Sequence, residues 1–466
     1  MRGILNCAGY IPSRYLERSS IQEFMGINVP AGMRSVASYD EDTATMGVEA
    51  ARNALLPLEE DTKPTALWFS SSNPPYMDKT NANVIHAALR LDKHTGAYDF
   101  GGAEKSGVGA LKSALNSTET LLLVQSDVRS GLPSSEDEIY GGDAASAMLI
   151  GSEDDGPLIA RYLGGASTSE EFIDRWRDPS ETHTKSWEER FVVSQYLQLI
   201  DSAWKQALAT TSLTLEQIST VVISGSNKRV KNQIAKSLEA TNVRGDLFES
   251  VGIAGAADAT LLLTHALETS QSGEIIALIV LSDGIEILIF EAGEIRNQHP
   301  ATISSQLNSR DEITYQRFLQ WKGNLKVQPP NRPAPSRISA SAAARESEWK
   351  HGFVASKGDE SGLVHMPPAR VSASPEDQID AMSSISMANT SGHVVTYTID
   401  RLVYSESPPV VFAVVDFVGG GRMPIEITDV DSDNVSIGME VIPTFRKVFT
   451  ADSIHNYFWK VRPKRI

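Results

Sequence analysis

The sequence predicts an α/β protein followed by a small antiparallel β-barrel, and three observations support this fold class. Over the first 295 or so residues, short apolar runs alternate with amphipathic stretches, which is typical of strands alternating with helices. Most of these runs are continuously apolar, which indicates strands buried on both faces of a sheet. Beyond residue 390 the pattern changes to short alternating strands separated by Gly, Pro and Asp turns.

Six apolar runs are the predicted strands of the α/β region. In chain order they are TALWFSSS, TLLLVQSD, ASAMLIGS, TVVISGS, IIALIVLSDG and IEILIFEAG. Two stretches between them carry wide apolar stripes, as expected of helices packed on a sheet: GVGALKSALNS and AADATLLLTHALET.

The α/β region contains a weak internal repeat. The two copies are GGAEKSGVGALKSALNSTETLLLVQSD and GIAGAADATLLLTHALETSQSGEIIALIVLSDG. Each contains a Gly/Ala-rich turn, a small-residue helix, a polar loop, a buried strand and then Ser-Asp. Two such halves packed back to back would bring both turns to the centre of the molecule. Chance similarity between two strand–helix units is the alternative.

The chain is long enough for several compact units, and four segments are predicted. Residues 1–165 and 166–300 are the two α/β halves. Residues 301–350, rich in Pro, Arg and Ser, are a linker segment, and residues 351–466 hold the barrel.

Composition excludes several classes of partner. Lys and Arg total 42 and Asp and Glu total 59, which gives a net charge of −17. Such a surface repels nucleic acid and anionic membranes. The longest apolar run, IIALIVL, is far too short to span a bilayer, and the N-terminal stretch is too interrupted for a signal peptide. We therefore expect a cytoplasmic protein with no nucleic-acid or membrane partner.

Four motifs carry a resemblance to a known family: GYIPSRYL, DFGGAEKSGVGALKSAL, SDVRSG with YGGDAASAMLIG, and VGIAGAADATLLLTHAL. They are similar to the entry strand, the nucleophile elbow, the next strand pair and the second elbow of the thiolase superfamily. The branch they resemble is that of 3-hydroxy-3-methylglutaryl-CoA (HMG-CoA) synthase and β-ketoacyl-ACP synthase III. The C-terminal part resembles the acyl-CoA-associated OB-fold domain found beside or fused to such enzymes.

The resemblance implies a fold, a substrate class and an assembly. The fold is a duplicated set of thiolase-type αβαβα layers with a C-terminal OB-fold barrel. The substrate is an acyl-CoA, so coenzyme A enters as part of the substrate and no cofactor is bound permanently. The resemblance also implies a homodimer.

The side chains that perform acyl transfer in this family are absent here. Glu104 stands where the elbow normally presents a cysteine. Ser224 takes the place of the second-half histidine and is followed by Asn227. The asparagine of the second turn falls on Ile253, and the catalytic glutamate falls near Ser72.

Glu104 is therefore the candidate catalytic residue. A carboxylate at a helix start can act as a general base, and the Gly-rich turns can supply N–H donors to a developing oxyanion. These groups suit hydrolytic retro-Claisen cleavage of a β-ketoacyl-CoA, and the resemblance to catabolic members implies a bulky or aromatic acyl chain. Retro-aldol cleavage of a β-hydroxyacyl-CoA is an alternative. HMG-CoA-synthase-like condensation is a second alternative. A non-catalytic partner of another thiolase-type enzyme is a third, because acidic residues also favour helix starts for structural reasons.

Five residues are candidates for substrate binding: Ser72, Tyr76, Ser224, Asn227 and Ile253. Tyr76 follows two prolines, so an ordinary surface turn is the favoured interpretation of that residue.

Other polar residues are interpreted structurally. Asp127 and Arg129 are predicted to form a strand-end salt bridge, with an active-site contact as the lesser alternative. Asp143 is predicted to order a glycine loop. His265 and the single cysteine, Cys7, are predicted core residues, and one cysteine excludes an intrachain disulfide.

The accessory domain of the resembled family begins with a zinc ribbon, whose frame survives in ASKGDESGLVHMPPARVSAS. His351 and His365 alone cannot supply a tetrahedral ligand set, so we expect no metal. The basic tail KVRPKRI is interpreted as a solvated end, with contact to CoA phosphates as the alternative. The cysteine places of the ribbon are taken by Gly358, Ser361, Ser372 and a position near Pro375.

Overall fold

The structure is a computed structural model that describes residues 1–56, 63–225, 227–238, 242–294 and 301–464. The first α/β half contains, in chain order, β1 (Arg2–Tyr10), β2 (Arg14–Glu17), α1 (Arg18–Met25), β3 (Met33–Val36), α2 (Thr43–Leu55), β4 (Ala66–Ser71), α3 (Ala82–Ala88), β5 (Gly96–Gly101), α4 (Lys105–Asn116), β6 (Leu121–Asp127), α5 (Glu136–Tyr140) and β7 (Ala144–Ser152).

The second half contains β8 (Ala160–Thr168), β9 (Arg175–Trp176), β10 (Lys185–Ser186), α6 (Glu189–Thr211), β11 (Thr220–Gly225), α7 (Lys228–Ser237), α8 (Asp258–Leu267), β12 (Ile275–Leu281) and β13 (Ile285–Ala292).

The remainder contains α9 (Ile303–Leu307), β14 (Asp311–Glu312), α10 (Tyr315–Trp321), α11 (Ala340–Arg345), α12 (Ser347–Lys350), β15 (Val354–Gly358), β16 (Val364–His365), β17 (Met382–Ser386), β18 (Gly392–Asp400), β19 (Val410–Phe417), β20 (Arg422–Ile427), β21 (Glu440–Ala451) and β22 (Ile454–Pro463).

The strand order of the main sheet shows the duplication. Nine strands follow the order β11-β12-β13-β8-β1-β7-β6-β4-β5 within the described residues. Parallel β4 and β6 lead to antiparallel β7 in the first half, and parallel β11 and β12 lead to antiparallel β13 in the second. The halves meet where β1 pairs with β8 over a short register, Gly3↔Arg161 and Ile4↔Ala160.

The side-chain alternation of the strands produces five layers. Leu121 and Leu123 of β6 pack in a central core around α4 and α8, whereas Leu122 packs on the opposite face with α2 and α3. In β12, Leu278 joins the central core and Ile279 packs under α6 and α7. Helices therefore cover both faces of each half of the sheet, as continuously apolar strands require. The αβαβα layers expected from the resemblance are confirmed.

Both Gly/Ala turns lie at the centre, as the repeat predicts. A Cβ on Gly107, in α4, would lie 2.2 Å from the carbonyl oxygen of Ala256 in the second turn. Gly255 has φ +55°, and a Cβ there would lie 2.1 Å from Oδ2 of Asp127. Glycine is required at both contacts because no side-chain atom fits between the halves.

The predicted segment boundaries remain predictions, although two features bear on them. The boundary at residue 165 falls inside β8, a strand that pairs with both β1 and β13. The predicted linker 301–350 has helices at both of its ends. Ile303 and Phe318 of its first part are buried against the α/β body.

A small sheet of β15, β16 and β17 follows, in the region of the degenerate ribbon. Asp377 Oδ1 accepts hydrogen bonds from the amides of Glu360 (2.9 Å) and Ser361 (3.0 Å), and Oδ2 accepts one from Ser361 Oγ. A Cβ on Gly358 would lie 2.1 Å from Asp377 Oδ2. A carboxylate thus occupies the space beside two of the expected cysteine places. In the described part of the chain, no cluster of His, Cys, Asp or Glu is arranged to hold a metal ion.

The C-terminal domain is a closed barrel with the strand order β18-β19-β20-β22-β21. The strand β22 was not predicted from the sequence, and its last residues, KVRP, belong to the segment interpreted as a solvated tail. Lys460 of β22 is buried and paired with Asp40 at 2.9 Å and with Glu426. Arg462 lies 3.7 Å from Glu49. The prediction of a solvated or CoA-binding tail is therefore wrong for these two side chains.

Buried ion pairs join the barrel to the first α/β half. Arg446 of β21 contacts Glu41 at 2.8 Å and Asp429 at 2.7 Å, and all three side chains are fully buried. Tyr10 of β1 donates a hydrogen bond to Glu41 at 2.5 Å. Barrel residues such as Trp459 also share a hydrophobic cluster with α2 and α3. Among the described residues, no helix combines the length and apolar composition needed to cross a bilayer.

Candidate active site

Glu104 occupies the position immediately before α4, at the bend between β5 and that helix. Its backbone is already helical (φ −59°, ψ −35°), and its side chain makes no capping hydrogen bond. The side chain is 11 % exposed, so it points into the protein and not into bulk solvent. A purely structural helix-capping carboxylate would bond to the helix amides, and Glu104 does not.

Two arginines hold the Glu104 carboxylate. Oε1 lies 2.8 Å from Nη2 of Arg129 and 3.0 Å from Nε of Arg175. Neither approach is aligned as a hydrogen bond, so both contacts are ionic. Both cations approach the same oxygen, Oε1. The other oxygen, Oε2, is therefore the one that can contact a ligand in front of the helix.

Asp137 completes a four-residue charged cluster. Both of its oxygens accept hydrogen bonds from the Arg175 guanidinium at 2.7 Å, and Oδ1 accepts one from Arg129 at 2.9 Å. Burial alone would raise the pKa of Asp137, but the two arginines outweigh it and hold that pKa well below its usual range. Burial would lower the pKa of Arg129, but Asp137, Glu104 and Asp127 outweigh it and raise that pKa. The contacts of Asp137 with both arginines hold the two cations in place, and these in turn fix the position of Glu104.

The predicted Asp127–Arg129 salt bridge is present but loose, and Arg129 lies closer to Glu104. Arg129 Nη1 lies 3.9 Å from Asp127 Oδ2, farther than its contact with Glu104. Asp127 instead accepts hydrogen bonds from Ser71 Oγ (2.9 Å) and from the Ala256 amide (2.7 Å). It therefore ties the end of β4 to the second Gly/Ala turn.

The Glu104 side chain borders a small polar cavity of about 90 Å³. Asp174, Arg175 and Asp283 line it together with Ser72. A neighbouring, more apolar cavity of about 340 Å³ shares Ser72, Gly102 and Arg177 with it. The larger cavity has the size of a small ligand site, for which about 300–1,000 Å³ is typical.

The start of α4 can supply oxyanion donors. Gly102, Ala103 and Glu104 line the polar cavity. Among the described residues, no protein acceptor is bonded to the amides of residues 102–105. The first amides of a helix have no partner inside the helix, and its dipole favours negative charge there. In the second turn, by contrast, Asp127 and Asp258 accept from the amides of Ala256 and Ala254.

Asp174 is a second carboxyl group in the same cavity. It is 8 % exposed, and its Oδ2 accepts a hydrogen bond from Tyr196 Oη at 2.9 Å. Burial raises the pKa of Asp174 to about 6; the hydrogen bond from Tyr196 opposes this rise, and the charges of Asp283 and Glu104 add to it. Asp174 and Glu104 thus differ in environment, because Glu104 faces two arginines.

Two of the predicted substrate-binding residues lie at the cavities. Ser72 lines both of them, and its Oγ donates to Asp127 at 2.7 Å. Tyr76 lines the larger cavity, so it is more than a surface turn. Its hydroxyl accepts a hydrogen bond at 2.8 Å from the amide of His455, at the start of β22 of the barrel. The barrel therefore reaches the rim of the larger cavity.

The other three predicted residues lie away from the cavities. Ser224 donates to the buried carboxylate of Asp258 at 2.7 Å. Asn227 caps α7, since its Oδ1 accepts from the amides of Arg229 (2.9 Å) and Val230 (3.1 Å). Ile253 is buried, and its main chain bonds to Tyr140 and Gly142. All three support the second half structurally.

Three residues were predicted to have structural roles: Cys7, His265 and Asp143. Cys7 lies in β1 and packs on the central core, and burial raises its pKa to about 12. His265 lies in α8, where burial lowers its pKa. Asp143 does more than order a loop: it is fully buried and accepts from the amides of Ala37 (2.7 Å) and Arg129 (2.8 Å).

Sequence analysis missed Asp137, Asp174 and Arg175. Asp174 and Arg175 belong to FIDRWRD, in which acidic and basic residues alternate around aromatic ones. That alternation is a detectable signal, because a charged strand is unusual beside buried strands. The contact of Arg175 with a helix start some seventy residues earlier leaves no local pattern.

Comparison with known proteins agrees with this geometry. Residues 387–446 match the family model described as ChsH2, C-terminal OB-fold domain. The HMG-CoA synthase of Pyrococcus horikoshii is 25 % identical over 328 residues, which cover 67 % of this chain and 93 % of that protein. The enzyme of the same name from Methanopyrus kandleri is 25 % identical over 345 residues, 70 % of this chain and 98 % of that protein.

Solved structures show the same fold. An HMG-CoA synthase complexed with CoA has a TM-score of 0.60 at 18 % identity and covers 72 % of this chain and 94 % of its own. Cerulenin-bound OleA of Xanthomonas campestris has a TM-score of 0.55 at 17 % identity, covering 63 % of this chain and 97 % of its own. The protein therefore has a thiolase-type fold with HMG-CoA-synthase-like homologues, followed by a ChsH2-type OB-fold domain.

Proposed function

We propose that the protein is an acyl-CoA enzyme that cleaves the C–C bond beside the thioester, by hydrolytic retro-Claisen cleavage of a β-ketoacyl-CoA. The observation that carries this proposal is the Glu104 carboxylate, held by two arginines before α4 and bordering a cavity. The CoA named with the HMG-CoA synthase structure supports the substrate class.

In this reaction Glu104 is the general base. It takes a proton from water, and the resulting hydroxide adds to the β-carbonyl carbon. The oxyanion formed there is stabilised by the amides at the start of α4. When the tetrahedral intermediate collapses, the C–C bond breaks, and the products are a carboxylic acid and the enolate of a shortened acyl-CoA. The two arginines keep the carboxylate directed at the cavity throughout.

The larger cavity suits a bulky or aromatic acyl group. Phe69, Phe100 and Tyr76 line it, and apolar and aromatic walls are typical of sites for such groups. Retro-aldol cleavage of a β-hydroxyacyl-CoA would use the same base on the β-hydroxyl group and would give an aldehyde or ketone in place of the acid.

Condensation is a second candidate, because the homologues are named HMG-CoA synthases. The elbow residue is Glu104 in place of a thiol, and Cys7 packs on the central core with a raised pKa. A carboxylate forms an anhydride that is a far poorer acyl intermediate than a thioester, so cleavage is favoured over condensation. A non-catalytic partner role would not explain the cavity or the charged cluster beside it.

We also propose a homodimer. β5 ends the main sheet within the described residues, and Tyr98 of that strand is 57 % exposed. An open sheet edge is a template for pairing with another chain. The symmetric pairing expected from the resemblance would use such an edge.

The test is to incubate the protein with a panel of β-ketoacyl-CoA and β-hydroxyacyl-CoA esters, aromatic ones included, in ¹⁸O-labelled water and without free CoA. Retro-Claisen cleavage gives a shortened CoA ester and a labelled carboxylic acid. Glu104→Gln should lower kcat by about 10²–10⁴-fold, since it removes the base and keeps the shape. Thermal unfolding should change little, because Asp137 still pairs with both arginines.

The matched control is Glu136→Gln, which neutralises an exposed carboxylate in the first turn of α5. Its activity should equal that of the parent. A Glu104→Gln variant as active as the parent would contradict the role of Glu104. Consumption of acetyl-CoA with formation of a longer product would favour condensation.

A further inference from the structure

The reaction proposed above needs an acid as well as a base. When the C–C bond breaks, its electron pair stays on the α-carbon as a thioester enolate. One proton must be added to that carbon to give the neutral shortened acyl-CoA. Glu104 has taken its proton from the water on the other reacting carbon, so a second group is needed on the α-carbon side.

We infer that Asp174 is this acid, and that its carboxyl group protonates the acyl-CoA enolate at the α-carbon. This inference rests on the proposed function, and three observations of the cavity carry it. Asp174 lines the same polar cavity as Glu104. It is almost fully buried there, and Tyr196 fixes one of its two oxygens. Its sequence neighbour Arg175 is turned to Glu104 and Asp137.

The two carboxyl groups of the cavity therefore have opposite partners. Glu104 contacts two guanidinium groups, those of Arg129 and Arg175. Asp174 contacts a neutral phenol, and among the described residues no cation lies within ion-pair distance of it. A pair of carboxyl groups in such contrasting surroundings is the usual arrangement for separate acid and base roles.

Charged and titratable groups reach Asp174 from each neighbouring element. Tyr196 approaches from α6, and Glu104 from the start of α4. Asp283 approaches from the loop between β12 and β13, and its main-chain oxygen accepts a hydrogen bond from Lys105 at 2.6 Å. The remaining charged groups of the cavity wall are Arg175 and Arg177, and Arg177 donates to the Ser72 carbonyl at 2.7 Å.

The proton balance closes over one turnover. Asp174 loses its proton to the α-carbon and is left as a carboxylate, while Glu104 is left protonated. The carboxylic acid product ionises, and proton exchange with solvent returns both groups to their starting forms. Hydrolysis of one β-ketoacyl-CoA thus gives a carboxylate, a shortened acyl-CoA and one net proton, and no oxidant or reductant is required.

The same step can be observed alone in the reverse direction. In heavy water, the Asp174 carboxylate should remove an α-hydrogen from acetyl-CoA and return deuterium, and mass spectrometry detects the label. Asp174→Asn should slow this exchange at least about 100-fold, the lower end of what general acid–base groups contribute. Glu104→Gln should affect exchange less than cleavage, because exchange needs no attacking water. The matched control is Asp178→Asn, an exposed carboxylate four residues later.

The pH dependence distinguishes an acid from a structural residue. Since burial raises the pKa of Asp174 to about 6, cleavage should fall above that pH as the proton is lost, whereas exchange should rise through it. Asp174→Asn should remove both dependences. Tyr196→Phe should move them upward by roughly one pH unit, because the phenol stabilises the carboxylate. Tyr196→Phe keeps the test valid if Asp174→Asn does not fold.

The outcomes separate this inference from the proposed function. If the parent cleaves a β-ketoacyl-CoA and Asp174→Asn retains the parent's exchange rate and pH profile, Asp174 is not the acid although the function stands. If the parent exchanges acetyl-CoA through Asp174 but cleaves nothing in the panel, the acid is supported and the overall reaction is wrong. If the parent neither cleaves nor exchanges, both are wrong.

Discussion

The two halves of the α/β region share one architecture but differ in how they use the turn before their central helix. In the first half, Gly102, Ala103 and Glu104, which precede α4, line a cavity. In the second half, Asp127 and Asp258 accept from the amides of the corresponding turn. We call the first the open turn, because among the described residues no protein acceptor is bonded to its amides, and the second the bonded turn, because two of its amides are bonded to buried carboxylates. Duplicated folding units therefore need not be duplicated sites.

The two turns differ because the carboxylates near them have different partners. A buried carboxylate that accepts several amide hydrogen bonds holds the main chain in place, since its acceptor capacity is filled by the protein. Asp127 is of this kind. A carboxylate that contacts only long cations keeps an oxygen for a ligand, and Glu104 is of that kind.

The strongest test of the bonded turn is Gly255→Ala. The new Cβ would lie 2.1 Å from Asp127 Oδ2 at a residue with φ +55°. Overpacking together with the left-handed backbone should cost about 2–4 kcal/mol in the free energy of unfolding, measured with urea. Gly273→Ala is the control, because φ is +88° there but the space around it is open. An equal loss in both variants would show that the halves do not meet tightly.

Arg175→Met tests the open turn. It leaves Glu104 paired with Arg129 alone, so the carboxylate is no longer fixed from two sides. We expect kcat/KM for the β-ketoacyl-CoA substrate to fall by about 10- to 100-fold through loss of orientation. The control is Arg161→Met, since Arg161 is 44 % exposed and pairs with surface carboxylates. Unchanged kinetics in Arg175→Met would assign its ion pairs to stability alone.

The smallest expected effect concerns Asn227, which lies in the second half away from the cavities. Asn227→Ala removes the cap of α7 and should cost about 1 kcal/mol in the free energy of unfolding. KM should stay at the parent value, because the side chain bonds only to helix amides. A raised KM at unchanged stability would restore Asn227 as a binding residue and weaken the contrast between the halves.

Much of the fold follows from local patterns. Continuously apolar runs mark the buried strands, and Gly-rich turns mark the places where the halves meet at Gly107 and Gly255. β22 was missed because Lys460 is charged, yet Asp40 and Glu426 compensate that charge inside the molecule. Hydrophobic periodicity carries no information about a partner several hundred residues away.

The site was predictable only in part, for the same reason. Glu104 could be identified because the elbow that surrounds it is a local motif. Ser224 and Asn227 correspond to family positions, but in the structure they bond to Asp258 and to the Arg229 amide, away from the two cavities. Asp174 and Arg175 could not be assigned, because their significance depends on a cavity that forms only when β9 lies beside α4.

The ribbon before the barrel shows another use of a carboxylate. Asp377 fills the space between Gly358 and Ser361, so the hydrogen bonds to this carboxylate form an internal clasp in the module. Hydrogen bonds from Ser361, Ser372 and nearby amides hold the pKa of Asp377 well below its usual range. The clasp is therefore at full strength above the ordinary aspartate pKa and loosens only in strong acid.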